Sequence, residues 1–277
     1  MKSFTSLTSL TSLTFAAAVS AVTLAAAAPA FAAAPGATPA GVKPTVILVH
    51  GAFADSASWD GVSAKLQADG YTVIGAANPL RSVKGDGEAV ASIVKSVPGP
   101  VVLVGHSYGG SVISAAAVGN ANVRSLVFVA AFAPEAGETA AQLSGKFPGS
   151  TLGPTLAAPV TLADGGKDLY IRQEKFAAQF AADVPAPKAR LMAIGQRPIT
   201  EAALNEASGE AAWKNIPSYF VYGTADKNIP AAAIEFMADR AHSRHTVAIK
   251  GASHVVMTSH PAEVARLIEE AAAAQTN

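Results

Sequence analysis

The stretch Gly105-His106-Ser107-Tyr108-Gly109-Gly110 offers a serine hydroxyl at the apex of a tight, glycine-flanked turn. The β-branched run Val101-Val102-Leu103-Val104 leads into it, and the small apolar run Ser111-Val112-Ile113-Ser114-Ala115-Ala116-Ala117 follows. Gly-x-Ser-x-Gly is common by composition alone, but a strand before it and a helix after it give it chemical meaning. The turn holds the hydroxyl out at the carboxyl end of the strand, and the helix behind it points its positive dipole end at the same spot. A hydroxyl is a poor nucleophile until a base takes its proton. His254, in Lys250-Gly251-Ala252-Ser253-His254, is the candidate base. Asp226, in Gly223-Thr224-Ala225-Asp226, is the candidate that fixes the imidazole tautomer and stabilises its charged form. Glu135 is the rival acid, and a plain turn residue is the alternative for Asp226. An oxyanion needs two donors. They are the amide of Tyr108 and that of Ala52, with Phe53 as the neighbour if the loop is shifted by one.

Placing these groups together requires parallel strands. Apolar runs at residues 44–50, 71–76, 101–105, 125–131, 217–222 and 246–249 predict six strands, most of them buried on both faces. Helices are predicted between them: one capped by Ser58 and carrying Trp59, Val62 and Leu66, one over residues 86–97, and two opened by Pro230 and Pro261. Strand alternating with helix implies a mainly parallel sheet covered on both faces, with ligands beyond the carboxyl strand ends. Ser107, Asp226 and His254 all fall at that edge. The alternation breaks over residues 133–216, where short helical stretches (172–182, 188–194) are separated by Gly-, Pro- and Thr-rich loops. This interruption reads as an inserted helical lid rather than a second domain, since it is poor in large apolar residues.

The remaining histidines have other expected roles. His106 fills space beneath the serine, His50 braces the oxyanion loop, His260 caps a helix, and His242 and His245 lie exposed. Their spacing matches no zinc motif, and no phosphate-binding glycine loop is present, so no metal, cofactor or nucleotide is expected. The 277 residues carry formal net charge +0, which leaves no electrostatic footprint for nucleic acid. The first 34 residues read as a secretory signal peptide and leader. Lys2 precedes a Thr-Ser-Leu repeat, an apolar run over residues 15–28, and the small-x-small site at Ala30-Phe31-Ala32. The run is too short and alanine-rich for a stable membrane anchor. The expected location is therefore secreted or periplasmic, with residues 35–277 as the folded domain. With no cysteine, stability must come from the core rather than from disulfides.

At these residues the chain resembles the α/β-hydrolase superfamily, and within it the plant methylesterases, hydroxynitrile lyases and related small bacterial serine esterases. The stretches that carry the resemblance are His50-Gly51-Ala52 through Trp59, the elbow at Ser107, Phe128-Val129-Ala130-Ala131-Phe132-Ala133-Pro134, Tyr222 through Pro230, and Lys250 through His254. The resemblance implies a triad of Ser107, Asp226 and His254, an oxyanion hole at Ala52 and Tyr108, no cofactor, and a lid-covered apolar pocket. Lyases of this kind carry threonine after the first-strand histidine and lysine after the catalytic histidine. This chain has Gly51 and Val255 there. The expected activity is hydrolysis of small or medium carboxylic esters through an acyl-enzyme. A C–C hydrolase or lyase on the same triad, or a small-molecule receptor with vestigial hydrolysis, are the alternatives. Expected pocket walls are Phe53, Tyr108, Leu143, Phe147, Phe176, Phe180 and Met192. The composition is silent on oligomeric state.

Overall fold

Valine-rich runs bounded by glycine and proline can bury both faces only inside a parallel sheet. The computed structural model describes residues 42–274, and in it those runs become adjacent strands. The leader expected over residues 1–34 lies outside the described residues. The chain first alternates β1 (Thr45–Val49), α1 (Asp60–Ala68), β2 (Val73–Ala76), α2 (Val83–Ser96), β3 (Val101–His106), α3 (Gly109–Ala117) and β4 (Val123–Val129). A cap follows: α4 (Ala140–Gly145), β5 (Val160–Thr161), β6 (Lys167–Leu169), α5 (Gln173–Phe180), α6 (Ala186–Gly195), β7 (Ile199–Thr200) and α7 (Glu201–Asn205). Alternation then resumes with β8 (Ser218–Gly223), α8 (Ala231–Arg240), β9 (His245–Ile249), α9 (Val256–Ser259) and α10 (Pro261–Ala273).

Six parallel strands form the main sheet in the order β2-β1-β3-β4-β8-β9. Every residue of β3 and β8 is buried, whereas β9 at one edge is mostly exposed. Helix α1 packs with α10 and α2 with α3, two pairs that cover the two faces. Val264, Leu267, Ile268 and Ala271 form the buried stripe of α10, as their i, i+3, i+4, i+7 spacing requires.

Local boundaries differ from expectation where distant groups intervene. Asp55, not Ser58, caps the first helical segment. Its side chain accepts from the Ala57 amide, and a 3-10 turn over Ser56–Trp59 precedes α1. Helix α2 starts three residues early. Ser82 caps it locally, and the cap's Glu206 accepts from the amides of Val83 (2.6 Å) and Lys84 (3.1 Å). The cap is not purely helical, because β5, β6 and β7 form a small antiparallel sheet.

One crossing decides where His254 lies. Beyond β9 the chain turns back over the end of β8. The Ala225 amide donates to Ala252 O (3.0 Å), and the Gly251 amide donates to Thr224 Oγ1 (2.9 Å). A Cβ at Gly223 would sit 2.2 Å from Ala252 O and 2.5 Å from Ser253 O, so no larger residue allows this approach. Overpacking of this kind typically costs about 1–3 kcal/mol. Gly223→Ala is expected to lower the unfolding free energy by about that amount in urea denaturation. A change within about 0.5 kcal/mol, the range of ordinary surface substitutions, would contradict the crossing as described.

Candidate active site

Ser107 directly follows β3 with φ 54°, a left-handed conformation that costs an L-residue roughly 1–2 kcal/mol. Backbone bonds hold it there. Its amide donates to Val129 O (3.2 Å), and its carbonyl accepts from the amides of Gly110 (3.0 Å) and Phe132 (3.1 Å). The turn closes tightly because Gly105 has no side chain: a Cβ there would lie 2.5 Å from Gly109 O.

Asp226 and His254 meet. His254 Nδ1 lies 2.6 Å from Asp226 Oδ2, and the two side chains are 1% and 0% exposed. The other carboxylate oxygen accepts from the amides of Asn228 (2.7 Å) and Ile229 (3.1 Å). A carboxylate only accepts, so the imidazole proton belongs on Nδ1 and Nε2 is left with a lone pair. Among the described residues Nε2 has no hydrogen-bond partner. Ser107 and His254 border the same cavity, of about 480 Å³. No hydrogen bond yet joins Nε2 to the hydroxyl; in unliganded sites this bond is commonly long and tightens with substrate.

In the loop after β1 the two candidate amides, those of Ala52 and Phe53, differ in their partners. The Phe53 amide donates to Arg197 O in the cap (2.9 Å) and is thereby occupied. Among the described residues the amides of Ala52 and Tyr108 have no acceptor, and both residues border the cavity. The loop is braced from behind by His50. His50 Nε2 accepts from the Asn78 amide (3.2 Å), His50 Nδ1 donates to Gly51 O (3.0 Å), and Asn78 Nδ2 donates to His50 O (2.8 Å). Tyr108 is anchored through its hydroxyl, which donates to Asp86 Oδ2 (3.0 Å). Burial raises the pKa of both groups, and the Asp86 carboxylate raises that of the phenol further.

His106 lies fully buried beneath the serine. Its ring is 4.7 Å from that of His254, and its Nε2 donates to His254 O (3.2 Å). Burial holds its pKa well below the ordinary imidazole value, and the neighbouring His254 lowers it further. It therefore supports the His254 backbone as a neutral group. From the cap, Phe180 places its ring 5.0 Å from that of His254 and 6.1 Å from Phe53. Asp183 accepts from Ser253 Oγ, next to His254, and lies 3.4 Å from His260 Nε2.

The other candidates lie elsewhere. Glu135 pairs with Lys214 at 2.7 Å, away from His254. His245 pairs with Glu270 at 2.8 Å on the surface. His260 occupies the N-cap position of α10 without a side-chain cap bond, because its ring is turned to Asp183 and Glu263. Of the expected pocket walls, Phe53, Tyr108 and Phe180 border the cavity. Phe176 instead packs behind Phe180, Phe147 packs on Phe236, Leu143 is buried in the core, and Met192 lines a second cleft on the other side of Phe53. Wall residues not anticipated include Phe132, Leu152, Leu156, Asn228 and Ile229. They come from loops without periodicity, and only the proximity of Asn228 and Ile229 to Asp226 in sequence hints at them. Among the described residues no group of three His, Asp or Glu side chains is placed to hold a metal ion.

A parallel sheet, a strained serine elbow and a histidine–aspartate pair at its carboxyl edge define a recognisable class of protein. The sequence matches the Alpha/beta hydrolase family over residues 46–267, and the chain belongs to that family. It is 27% identical over 255 residues to the alpha/beta hydrolase nvfD of Aspergillus novofumigatus (strain IBT 16806), covering 83% of this chain and 97% of that one. The fold is similar to that of polyneuridine aldehyde esterase (TM-score 0.72, 18% identity, 83% of this chain and 99% of that chain). It is also similar to a pyrethroid hydrolase from Sphingobium faniae JZ-2 (TM-score 0.66, 22% identity, 84% and 98%).

The buried imidazoles set a pH dependence of stability. His50 and His106 have folded pKa values depressed below 6.5, first of all by burial. Both therefore take up a proton on unfolding once the pH falls below that value. Their contribution is complete above 6.5 and is lost as pH falls toward their folded values. The urea midpoint is expected to fall between about pH 8 and about pH 5, and to fall less steeply in His106→Gln. Equal slopes in the two proteins would contradict the neutral, buried state of His106.

Proposed function

We propose that this chain is an exported serine esterase that cleaves small or medium carboxylic esters through an acyl-enzyme. The observation that carries the reading is the buried Asp226–His254 bond at 2.6 Å, which leaves Nε2 unpartnered in a residue that borders the same cavity as Ser107. In this reading the Ser107 hydroxyl attacks the ester carbonyl while its proton passes to His254 Nε2. The Asp226 carboxylate stabilises the imidazolium that results. The carbonyl oxygen becomes an oxyanion received by the free amides of Ala52 and Tyr108; one such donor is typically worth about 2.7–4 kcal/mol. Collapse expels the alcohol, which takes the proton from His254. Water then gives a proton to Nε2 and attacks the acyl carbonyl; collapse releases the acid, and the departing Ser107 oxygen takes the proton back from His254. The names of the structural relatives, an esterase and a pyrethroid hydrolase, are consistent with ester chemistry. Export is supported by the leader pattern over residues 1–34.

The lyase alternative fits less well. A Cβ at Gly51 would lie 2.6 Å from His106 O and 2.7 Å from Ser107 Cβ, so the threonine of the lyases has no room. The residue after His254 is the fully buried Val255, which offers no cation for a departing anion.

Wild-type protein is expected to give a burst of nitrophenol from p-nitrophenyl acetate and to be labelled by a fluorophosphonate, with both lost in Ser107→Ala. Unchanged labelling in that variant, or no burst in the wild type, would refute the esterase reading.

A further inference from the structure

Asn228 is an unexplained polar group in a mostly apolar wall. It is 4% exposed and borders the cavity. Among the described residues its Nδ2 has no hydrogen-bond partner. Which end of the amide is the nitrogen follows from its neighbours. Lys227 O can only accept, so the Gln179 atom 2.9 Å from it is Nε2. That same Nε2 donates to Asn228 at 2.8 Å, so the Asn228 atom it faces is Oδ1. Thr151 Oγ1 completes the set by donating to Gln179 Oε1 at 2.8 Å. The remaining atom of Asn228 is therefore a donor, left over.

Its position is fixed from the catalytic side as well. The Asn228 amide donates to Asp226 Oδ1, and its carbonyl accepts from Ser144 Oγ at 2.9 Å. Around it the wall is supplied by Ile229, Leu152 and Leu156, which offer no side-chain acceptor, and by the hydroxyls of Ser144 and Ser150, neither of which bonds Nδ2. A buried donor without an acceptor typically costs about 1–3 kcal/mol, and native proteins carry few of them. A ligand oxygen in the cavity would remove that cost.

We infer that Asn228 Nδ2 is a substrate-recognition donor, and that the preferred esters carry a second acceptor oxygen, such as a ketone, outside the scissile group. This deepens the esterase reading and rests on it for the chemistry, though not for binding. A site built to donate a hydrogen bond discriminates against a ligand that lacks the acceptor, because the donor is then left unpaired. The rest of that molecule is largely apolar, because most of the wall is hydrocarbon, with the hydroxyls of Ser144 and Ser150 as its other polar groups away from Ser107 and His254.

The test uses esters of one length in which a single methylene, in the acyl or the alcohol part, is replaced by a ketone. Binding to Ser107→Ala is measured by calorimetry, and kcat/KM is measured with the protein that retains Ser107. At one position the oxo ester is expected to bind about tenfold more tightly than its all-methylene parent. In Ser107→Ala carrying Asn228→Leu or Asn228→Ala the oxo-to-parent ratio is expected to fall to about one. A purely structural role would weaken both ligands and preserve the ratio. If no oxo position gains affinity, or the gain survives both substitutions, the inference is overturned. If the Asn228-dependent preference in binding holds while no ester is turned over, the inference stands and the esterase reading fails.

Discussion

His254 belongs to the edge of the sheet but lies over its middle. Strand β9 is three places from β3 in the sheet, a separation of about 14 Å at ordinary strand spacing. The loop after β9 closes that separation by folding back over Gly223, where two carbonyls occupy the space of a side chain. It is pinned at the far end by the His106 ring, which donates to His254 O. His106 is itself the residue before the elbow, so the strand that carries the serine also carries the prop for the histidine. Asp226 needs no such excursion. It follows β8 directly, and its Oδ1 is held by the next residues' amides.

The cap is coupled to this arrangement at several points. Phe180 covers the His254 ring, Asp183 holds the hydroxyl of Ser253, and Arg197 O takes the Phe53 amide. Together they cover one side of the His254 ring and leave the Ala52 amide as the open donor of the loop after β1. Arg81 adds an anchor on the other side, bonding Asp168 at 2.5 Å and Pro198 O at 2.8 Å. Charges and amides work best when their positions are set before the reaction. The cap contacts here reach the elements that carry them, so a change in the cap bears on the chemistry and not only on access.

Much of this was legible in the chain. Buried parallel strands announce themselves as unbroken valine runs, and β1, β3 and β4 fall where those runs are. Glycines around Ser107 signal a turn too tight for side chains, and Asp226 and His254 follow strands whose direction is implied by the intervening helices. What escaped depends on partners far away in sequence. Helix α2 begins early partly because Glu206 reaches its first turn, and the brief antiparallel sheet of the cap has strands of two and three residues, too short for any periodicity. Phe147, Phe176 and Met192 have the right chemistry for a pocket wall but face other aromatics or a different cleft. Asn228 lies in a loop without periodicity, and its amide is oriented by Gln179 and Thr151, both far away in sequence.

The proposed reaction requires the hydroxyl of Ser107, the Nε2 of His254 and the amides of Ala52 and Tyr108 to converge on one reacting atom. A crystal structure of the protein after reaction with a methyl phosphonate ester tests this directly. The adduct should sit on Ser107 Oγ, with one phosphonyl oxygen within hydrogen-bond distance of the amides of Ala52 and Tyr108 and with His254 Nε2 facing Oγ. An adduct on another residue, or a phosphonyl oxygen pointing away from those two amides, would contradict it.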